Sequence, residues 1–479
     1  MRVEALASQR SYFTDVSVFD SVGAPADALA LEQLLAGVAG ADLAAQPVAL
    51  PDFHLKGDKE MPSSIAVATR ETIRPTLTSA SLNCGMALIA LDIERPRTGE
   101  VTDFFTAVRE RYPYPPTYRR DLSPGEVVRA AAEGATFAVE RFGVDPAELD
   151  AVEEGGRLDV TRYGGVDRVR RELPWSVKQL SRIRFGTIGK SNHFIELQEV
   201  EDVFDPEAAA LLGLTETQVT LQYHGGGGSL PGELGLLFGR RKRYPRPVQI
   251  QMAVQKPLYH LARARSVEDF RRRRALYFSD GCPPVERNGA EGERLMLANA
   301  MAMNYGFAFR LSAYASFEPL LRECLGAKSN RLVADSPHNT IYEEDVDGES
   351  ALVHRHNACR IYPASAAPDH PVYGRIGRPL LLPGTNRTCS YVCIPGDRPE
   401  VSLYSACHGG GTNIERFVAA GLTGPDPERR MTLRYDYSGA GPIEVPQLDD
   451  RGIDDVLEVL VNEGIVRPVA RLRPFAVLN

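Results

Sequence analysis

The stretch 186–198, Gly-Thr-Ile-Gly-Lys-Ser-Asn-His-Phe-Ile-Glu-Leu-Gln, constrains the fold more than any other part of the chain. Its glycines and serine predict a tight turn, and the residues that follow alternate as in a β-strand. One face of this strand carries Asn192, Phe194 and Glu196, and the other carries His193, Ile195 and Leu197. His193 therefore heads an apolar row, where a histidine is either a hydrogen-bonded core residue or a ligand.

The composition is that of a globular protein with ample material for a hydrophobic core. The chain has 479 residues, of which 43% are hydrophobic and 25% charged. It contains no apolar run near the roughly 20 residues of a membrane span. The N-terminal residues lack the apolar core of a signal peptide. We expect a soluble, cytoplasmic protein in which residues 1–479 form a single large domain.

Cysteine usage and charge narrow the function classes. Seven cysteines without close pairs indicate reduced thiols, one or more of them ligands, and not a disulfide scaffold. The net charge of −8 argues against broad attraction to nucleic acid. Basic residues nevertheless cluster at 240–243 with Arg246 and at 271–274, either as solvated faces or along the path of a polyanion.

Hydrophobic periodicity predicts a mixed α/β (α+β) fold. Helices are predicted over 29–38, 206–215, 291–311 and 453–461, together with a charged helical cover over 102–172 that is interrupted by a loop at 113–124. Strands are predicted over 87–91, 192–197, 219–224 and 248–254. The stretch 50–62 is too rich in turn residues for a regular element, and the final third contains many strands and loops.

Four histidines stand at the ends of predicted strands beside Gly, Asn or Ser: His193, His224, His338 and His408. Cys84 lies in a similar turn, before the strand at 87–91. Thiolate and imidazole together suit a borderline metal ion, whereas carboxylates suit harder ions. Because these residues are far apart in sequence, the pattern predicts a metal site only if the fold brings them together.

Short motifs in a fixed order carry a resemblance that covers nearly the whole chain. They are Cys-Gly-Met at 84–86, Gly-x-x-Gly-x-x-Asn-His-Phe-x-Glu at 186–196, His-Gly-Gly at 224–226, His-Asn at 338–339, Pro-Gly-Thr at 383–385 with Ser-Tyr-Val at 390–392, Cys-His-Gly-Gly-Gly at 407–411, and the C-terminal stretch 469–478. With these motifs the chain resembles the RtcB-type RNA ligases. That family joins an RNA end bearing a 3′-phosphate or 2′,3′-cyclic phosphate to a 5′-hydroxyl end, using GTP and manganese.

The resemblance implies an RtcB-like fold in which strands converge on a central metal and nucleotide site. By position, the metal ligands would be Cys84, His193, His224 and His338, and His408 would be the catalytic nucleophile that takes GMP from GTP. The nucleotide-binding residues would be Asn192, His193, Phe194, Ile195, Glu196, His338, Asn339, Pro383, Gly384, Thr385, Asn386, Ser390, His408, Gly409, Gly410, Gly411 and Asn479. A carboxylate at Glu196 suits guanine, whose N1–H and exocyclic amine both donate. The implied partners are RNA ends or another substrate that offers a phosphate and a hydroxyl, together with GTP and an archease-like activator, and a membrane is not among them.

Four positions depart from the family pattern. Ser81 replaces an aspartate, Gly228 and Thr412 replace arginines, and Asn479 replaces a near-terminal lysine. Loss of the carboxylate at Ser81 weakens a second, harder metal site, while a Cys/His site persists and suits zinc or cobalt as well as manganese. The lost arginines remove bidentate phosphate contacts. We expect Arg387, Lys190 or both to supply phosphate-binding charge instead.

Two other functions stay open on sequence alone. One is a single-metal phosphoesterase that hydrolyses terminal or cyclic phosphates, and the other is a non-catalytic paralogue that binds RNA ends. Retention of His408 and of all the implied metal ligands argues against the non-catalytic protein. We further expect Cys359, Cys389, Cys393 and Cys407 to be structural thiols and His354 and His356 to be surface or RNA-facing residues, and we assign no role to His54.

Overall fold

The computed structural model describes residues 2–4, 15–78, 81–115, 121–182, 185–190, 192–239, 243, 245–279 and 283–479. Within these ranges the helices are α1 (Ala28–Val38), α2 (Thr98–Arg111), α3 (Pro124–Glu133), α4 (Ala135–Phe142), α5 (Gly165–Glu172), α6 (Trp175–Ser181), α7 (Pro206–Leu212), α8 (Ser229–Phe238), α9 (Arg246–His260), α10 (Val267–Phe278), α11 (Ala290–Leu325), α12 (Tyr373–Ile376), α13 (Gly411–Ala419) and α14 (Arg451–Asn462). None of these helices combines the length and apolarity that crossing a bilayer requires.

The strands in the same ranges are β1 (Arg2–Glu4), β2 (Asp15–Val18), β3 (Val48–His54), β4 (Ser63–Thr69), β5 (Thr72–Ile73), β6 (Gly85–Leu91), β7 (Phe194–Val203), β8 (Val219–Gly225), β9 (Val285–Glu286), β10 (Asn330–Pro337), β11 (Asn339–Val346), β12 (Glu349–His356), β13 (Ala358–Arg360), β14 (Leu380–Leu382), β15 (Ser390–Pro395), β16 (Ser405–Cys407), β17 (Met431–Tyr435), β18 (Ile443–Pro446) and β19 (Val466–Leu478). This mixture of helices and strands confirms the predicted fold class.

Two large β-sheets form the framework. One has the strand order β1-β2-β3-β4-β12-β11, and the other has the order β10-β6-β8-β7-β19-β15-β14, with β17 paired to β19 and β18 paired to β17. β10 and β11 belong to different sheets although only His338 separates them in the chain. His338 therefore lies at the corner between the two sheets.

The largest hydrophobic core lies between the second sheet and the helices. α11 runs through it for 36 residues and packs against α2, α3, α4 and α8. The same core contains Ile195 and Leu197, which point from one face of β7, together with Leu221 of β8. The helices of the stretch 102–172 therefore pack against α11, in agreement with the predicted cover. Residues 116–120 of the predicted loop lie outside the described ranges.

A second core lies between the two sheets and α14. It contains Cys359, Cys389, Cys393 and Cys407, each fully buried, as expected for structural thiols. The expectation for His354 and His356 was wrong, because both side chains are buried, at 0% and 2% exposure. Both histidines lie on β12, which is an interior strand between β4 and β11.

The strands predicted over 87–91, 192–197 and 219–224 and the predicted helices over 29–38, 206–215, 291–311 and 453–461 are all present. Three bounds differ, because β7 begins only at Phe194, α7 ends at Leu212 and α11 continues to Leu325. Two predictions were wrong. The stretch predicted to be irregular contains β3, where Asp52 adopts a φ of +63° and the register with β4 shifts, so a bulge accommodates the turn-forming residues. The strand predicted over 248–254 is part of α9.

The structure describes the two predicted basic clusters to different extents. Residues 240–242 lie outside the described ranges. In the cluster on α10, Arg272 and Arg273 both donate to Asp269, at 2.6 and 3.2 Å. Part of this second cluster is therefore neutralised within its own helix.

Candidate metal and nucleotide site

Four strand ends meet at one edge of the second sheet and bring together the residues predicted as metal ligands. Cys84 lies directly before β6, His193 directly before β7, His224 near the end of β8, and His338 directly after β10. Gly85 pairs with both Gly225 and Pro337 across antiparallel neighbours. Because an antiparallel pair places the start of one strand beside the end of the next, the four side chains converge although they are far apart in sequence.

The Cys84 thiol is the point to which the histidines converge. Its Sγ lies 3.3 Å from Nε2 of His224 and 3.5 Å from Nε2 of His193. The ligand atoms of Cys84, His224 and His338 all lie within 4.8 Å of one another. Nδ1–H of His224 donates to the carbonyl of Asn192 at 2.7 Å, so its Nε2 keeps a lone pair directed at the thiol.

Burial sets the protonation of this cluster. It lowers the pKa of His193 to about 4 and the pKa of His224 and His338 well below the ordinary value, so these imidazoles are neutral at pH 7. Burial also raises the pKa of Cys84 to about 12, although the charge of Arg310 opposes that rise. The protein alone holds a thiol here, and a bound cation would displace its proton.

A buried ion pair supports the turn that carries Cys84. Arg310 of α11 is fully buried and donates to both carboxylate oxygens of Asp335, at 2.7 and 2.5 Å. It also donates to the backbone and side-chain oxygens of Asn83, at 2.7 and 2.8 Å. The N–H of His338 donates to the carbonyl of Cys84 at 2.9 Å. Both α11 and the end of β10 therefore hold the turn in place.

The donor set fits a borderline divalent metal. The thiol of Cys84 and the imidazoles of His224 and His338 are spaced to hold an ion and are ligands that zinc, cobalt and manganese accept. His193, the fourth predicted ligand, is not part of that group of three, although its Nε2 lies 3.5 Å from the thiol. Nδ1 of His338 is buried, and within the described ranges it has no hydrogen-bond partner. A buried imidazole nitrogen without a protein partner, beside a thiol, is consistent with a site built to hold a cation.

His408 lies next to this cluster. The short pair of β13 and β16 places it there, because Ala358 pairs with Cys407 and the N–H of Ala358 donates to the carbonyl of His338 at 3.0 Å. The ring centroids of His408 and His338 are 4.6 Å apart. Burial lowers the pKa of His408 to about 3, so one ring nitrogen carries a free lone pair at pH 7. A neutral imidazole in this position can act as a nucleophile.

A cavity of about 300 Å³ opens at His408, and we call it the His408 cavity. Among the residues predicted to bind nucleotide, its walls contain Asn192, Phe194, Pro383, Gly384, His408, Gly409 and Gly411. The walls also contain Asp52, His54 and Lys56, to which the sequence analysis gave no role. The signal that could have identified Asp52 and His54 is the Pro-Asp-Phe-His motif at 51–54.

Glu196 is not among the described residues that line the His408 cavity, but hydrogen bonds connect it to one of them, Gly384. Its Oε1 accepts from Nε2 of Gln198 at 2.7 Å, and the same amide donates to Oγ of Ser390 at 3.2 Å. Ser390 in turn accepts from the N–H of Gly384 at 3.2 Å. Burial raises the pKa of Glu196 to about 8, so this carboxyl is mostly neutral at pH 7.

The other residues predicted to bind nucleotide are not in the described walls of this cavity. The Ile195 side chain packs in the main core, and the Asn339 side chain bonds the carbonyl of Ser81 and the N–H of Asn357. Asn479 accepts from Nε of Arg434 at 3.2 Å. The N–H of Gly410 donates to the carbonyl of Pro383 at 3.1 Å, and Thr385 and Asn386 follow Gly384 in the chain. His193 and His338 belong to the cluster.

A second cavity, of about 270 Å³, lies on the other side of the cluster. Cys84 and His193 line it together with Ser81, Lys190 and residues 226–228, and we call it the Lys190 cavity. At Gly228, where α8 begins, φ is +66°. An arginine would be strained in this backbone conformation, so the position itself excludes a simple exchange.

The two candidate replacement charges differ in position. Lys190 lines the Lys190 cavity beside His193. Arg387 instead donates from Nε to the carbonyl of Pro446 at 2.9 Å, and it is not among the described residues that line either cavity. Only Lys190 is thus placed to meet a phosphate near the metal cluster.

Comparisons with known proteins indicate one family. A family model described as tRNA-splicing ligase RtcB matches residues 35–479. The tRNA-splicing ligase RtcB of Thermococcus kodakarensis is 27% identical over 456 residues, which cover 90% of this chain and 86% of that protein. The RNA-splicing ligase RtcB of Mycobacterium tuberculosis is 30% identical over 71% of this chain and 73% of that protein.

The match to some relatives covers less of their length. With the tRNA-splicing ligase RtcB of Pyrococcus abyssi the identity is 28% over 82% of this chain, but the chain spans only 42% of that protein. The family model nevertheless includes Cys84, His193, His224, His338 and His408. From the extent of that match, the chain belongs to the RtcB family.

Proposed function

We propose that this protein is an RNA ligase that joins a 3′-phosphate or 2′,3′-cyclic phosphate end to a 5′-hydroxyl end, using GTP and a divalent metal ion. The position of His408 carries the proposal. It is a half-buried, neutral imidazole in the wall of the His408 cavity, 4.6 Å from His338 between ring centroids. The ligase names of the relatives support the same reaction class.

In the first proposed step, the lone pair of a His408 ring nitrogen forms a bond to the α-phosphorus of GTP. The bond from that phosphorus to its bridging oxygen breaks, and pyrophosphate leaves with the electron pair. The proton on the other ring nitrogen stays until solvent removes it. GMP then passes to the RNA 3′-phosphate, which breaks the N–P bond, and the 5′-hydroxyl oxygen attacks the activated phosphorus, loses its proton and displaces GMP. A cyclic phosphate must first be opened by water.

Cys84, His193, His224 and His338 would hold the metal ion, which when bound would neutralise charge on the transferred phosphoryl group. Manganese is the ion of the resembled family, and zinc or cobalt also suits one thiolate and three imidazoles. The hydrogen bond from His224 to the Asn192 carbonyl and the Arg310–Asp335 pair keep these ligands oriented. In this proposal the protein positions the ligands and the substrates, while an ion would supply the positive charge.

The His408 cavity is proposed to hold guanine in preference to adenine. Guanine offers two donors, N1–H and its amine, to an ionised Glu196, whereas adenine offers one donor and one acceptor. Gln198 and Ser390 connect Glu196 to the wall at Gly384. The glycines 409–411 follow His408 and leave the backbone open to a phosphate, because no side chain intervenes.

Ser81 favours a second candidate function. It contributes its carbonyl to the turn, accepting from the N–H of Cys84 at 3.1 Å, and brings no carboxylate to the Lys190 cavity. A protein with a single metal ion in this place could hydrolyse a terminal or cyclic phosphate with water, without any nucleotide. A non-catalytic protein that binds RNA ends is the remaining alternative.

One experiment separates the three functions. The intact mass of the purified protein is measured after incubation with GTP and manganese, for the wild type, His408→Ala and His370→Ala. His370, whose Nδ1 accepts from the N–H groups of Val372 and Tyr373, lies outside both cavities and controls for the loss of a histidine. We expect the mass of one GMP to be added to the wild type and to His370→Ala, and none to His408→Ala.

The metal content of the same samples and an RNA-joining assay complete the test. Bound metal without an adduct, together with phosphate release from RNA ends, would favour the phosphoesterase. Neither metal nor adduct, with retained RNA binding, would leave the non-catalytic protein. An archease-like activator is the proposed partner, and adding it should raise the rate of adduct formation without changing which residue carries GMP.

A further inference from the structure

The loop between β3 and β4 places a lysine in the wall of the His408 cavity. Lys56 is half-buried there. Its charge is near enough to Asp52, His54 and His408 to lower the pKa of each. Within the described ranges the ammonium of Lys56 makes no hydrogen bond or ion pair, although the backbone carbonyl of Lys56 accepts from the N–H of Lys59 at 3.3 Å. The ammonium of Lys59, in contrast, bonds Asp58 at 3.0 Å.

The other charged groups beside this loop are already engaged or are negative. Arg416 donates to the carbonyls of Phe53 and Pro25, at 3.2 and 3.4 Å. Glu415 is exposed at the rim. Among the described residues that line the His408 cavity, Lys56 is the one lysine or arginine.

The N-terminus of α13 also borders the His408 cavity, but it is not available to bind an anion. The side chain of Asp52 accepts from the N–H of Asn413 at 2.7 Å, so a carboxyl already caps the first turn of this helix. Thr412, on the same turn, has its Oγ1 3.5 Å from Nε2 of His54. An anionic chain that extends from His408 toward the loop would therefore meet the ammonium of Lys56, with the Thr412 hydroxyl beside it.

We infer that the Lys56 side of the His408 cavity is a polyphosphate subsite, where the ammonium binds the β- and γ-phosphates of a nucleoside triphosphate whose α-phosphorus faces His408. This inference rests on the proposed function and deepens it. When the bond between the α-phosphorus and the bridging oxygen breaks, its electron pair goes to pyrophosphate, and Lys56 stabilises that charge while forming no covalent bond itself. Lys56 also orients the leaving group opposite the attacking nitrogen.

The test compares two ligands that differ only in the phosphates assigned to this subsite. GMP and the triphosphate analogue with a methylene bridge between the α- and β-phosphates, which cannot be transferred to His408, are titrated calorimetrically against the manganese-loaded protein. Lys56→Ala, Lys56→Arg and Lys59→Ala are compared with the wild type. Lys59→Ala removes the same charge three residues away, from a lysine that does not line the cavity.

We expect the wild type and Lys59→Ala to bind the analogue at least about tenfold more tightly than GMP, as a charge-assisted contact provides, and Lys56→Ala to bind the two about equally. Lys56→Arg should restore most of the preference, and no variant should change the affinity for GMP. A preference that survives in Lys56→Ala, or is absent from the wild type, overturns the subsite. Failure of the wild type to form the GMP adduct, with the preference intact, instead overturns the proposed ligase and leaves the subsite standing.

Discussion

The two cavities share the metal cluster as a wall but present different groups to a ligand. Asn192 and Phe194 line the His408 cavity, whereas His193, the residue between them, lines the Lys190 cavity. Alternate residues of an extended chain point to opposite sides, so three consecutive residues divide the space into two. The residues 192–194 therefore separate the two cavities.

The difference between the cavities indicates a division of labour in the proposed reaction. The His408 cavity has a neutral nucleophile, the hydrogen-bonded path to Glu196 and the Lys56 loop, which are groups suited to a nucleotide. The Lys190 cavity has Cys84, His193, a run of glycine backbone and one lysine, which are groups suited to a terminal phosphate near the metal. Three groups of variants test this division. The first affects both cavities, the second only the His408 cavity, and the third only the Lys190 cavity.

The largest effect is expected from the ion pair behind the shared wall. Asp335→Ala leaves Arg310 buried and charged without its carboxylate, and we expect it to lower the free energy of unfolding by about 3–5 kcal/mol. Both side chains of the pair are buried, with 0% of Arg310 and 2% of Asp335 exposed to solvent. Denaturant unfolding followed by circular dichroism measures the change, and metal binding should weaken with it.

Glu207→Ala is the matched control for Asp335→Ala. It also removes an acid from an arginine, but the pair of Arg375 and Glu207, at 2.7 Å, is 57% and 76% exposed. Such a pair contributes less than about 1 kcal/mol. Equal destabilisation by the two variants would show that the Arg310 network does not support the cluster.

The next effect concerns the His408 cavity alone and depends on pH. The pKa of Glu196 is raised from 4.5 to about 8, so the free protein must release a proton before this carboxylate can accept from guanine. We expect the affinity for GMP to rise about tenfold for each pH unit from pH 6 to pH 8 and then to level off. Glu196→Gln should bind more weakly and should lose this part of the pH dependence.

The raised pKa of Glu196 also predicts how the free energy of unfolding depends on pH, which denaturation experiments can test. Because burial favours the neutral form, Glu196 contributes to stability below pH 4.5, and that contribution is lost as the pH rises through 8. Glu199→Gln, on the same strand but half-exposed, is the control and should keep both wild-type profiles. A Glu196→Gln profile that parallels the wild type would remove Glu196 from guanine recognition.

The sequence predicted which strand ends form the metal cluster. It did not predict the pairing that positions His408, or all the residues that line the His408 cavity. The turns before β6 and β7 and the histidines that end strands are local patterns, and antiparallel pairing was enough to make them converge. The position of His408 depends on the pairing of Ala358 with Cys407, which no local pattern specifies. Lys56 was missed for a related reason, since the bulge at Asp52 made β3 look like an irregular loop.

The error in α9 has a different physical origin. Its buried residues include Met252 and Tyr259, while Ile250, Val254 and Leu258 are 58–70% exposed on another face. A helix with apolar residues on two faces can alternate in sequence like a strand, so periodicity alone did not distinguish the two. Which residues are buried distinguishes the helix from a strand here, and burial depends on the whole fold.

The smallest effect should separate the Lys190 cavity from the His408 cavity. Lys190→Ala removes one ammonium beside Cys84 and His193, and we expect it to weaken binding of a 3′-phosphate-terminated RNA by about tenfold or less. Binding of the same RNA with a 3′-hydroxyl and binding of GMP should both be unchanged, because neither places a phosphate in the Lys190 cavity. Fluorescence anisotropy with labelled RNA measures the difference between the two ends.

Arg387→Ala provides the comparison that decides between the two replacement charges. Its guanidinium is held by the Pro446 carbonyl, so the variant should bind both RNA ends and GMP like the wild type. If Arg387→Ala weakened binding of the phosphate end and Lys190→Ala did not, the RNA end would approach from the side of the His408 cavity. In that case the metal cluster could not separate the two substrates, and the division of labour between the cavities would be wrong.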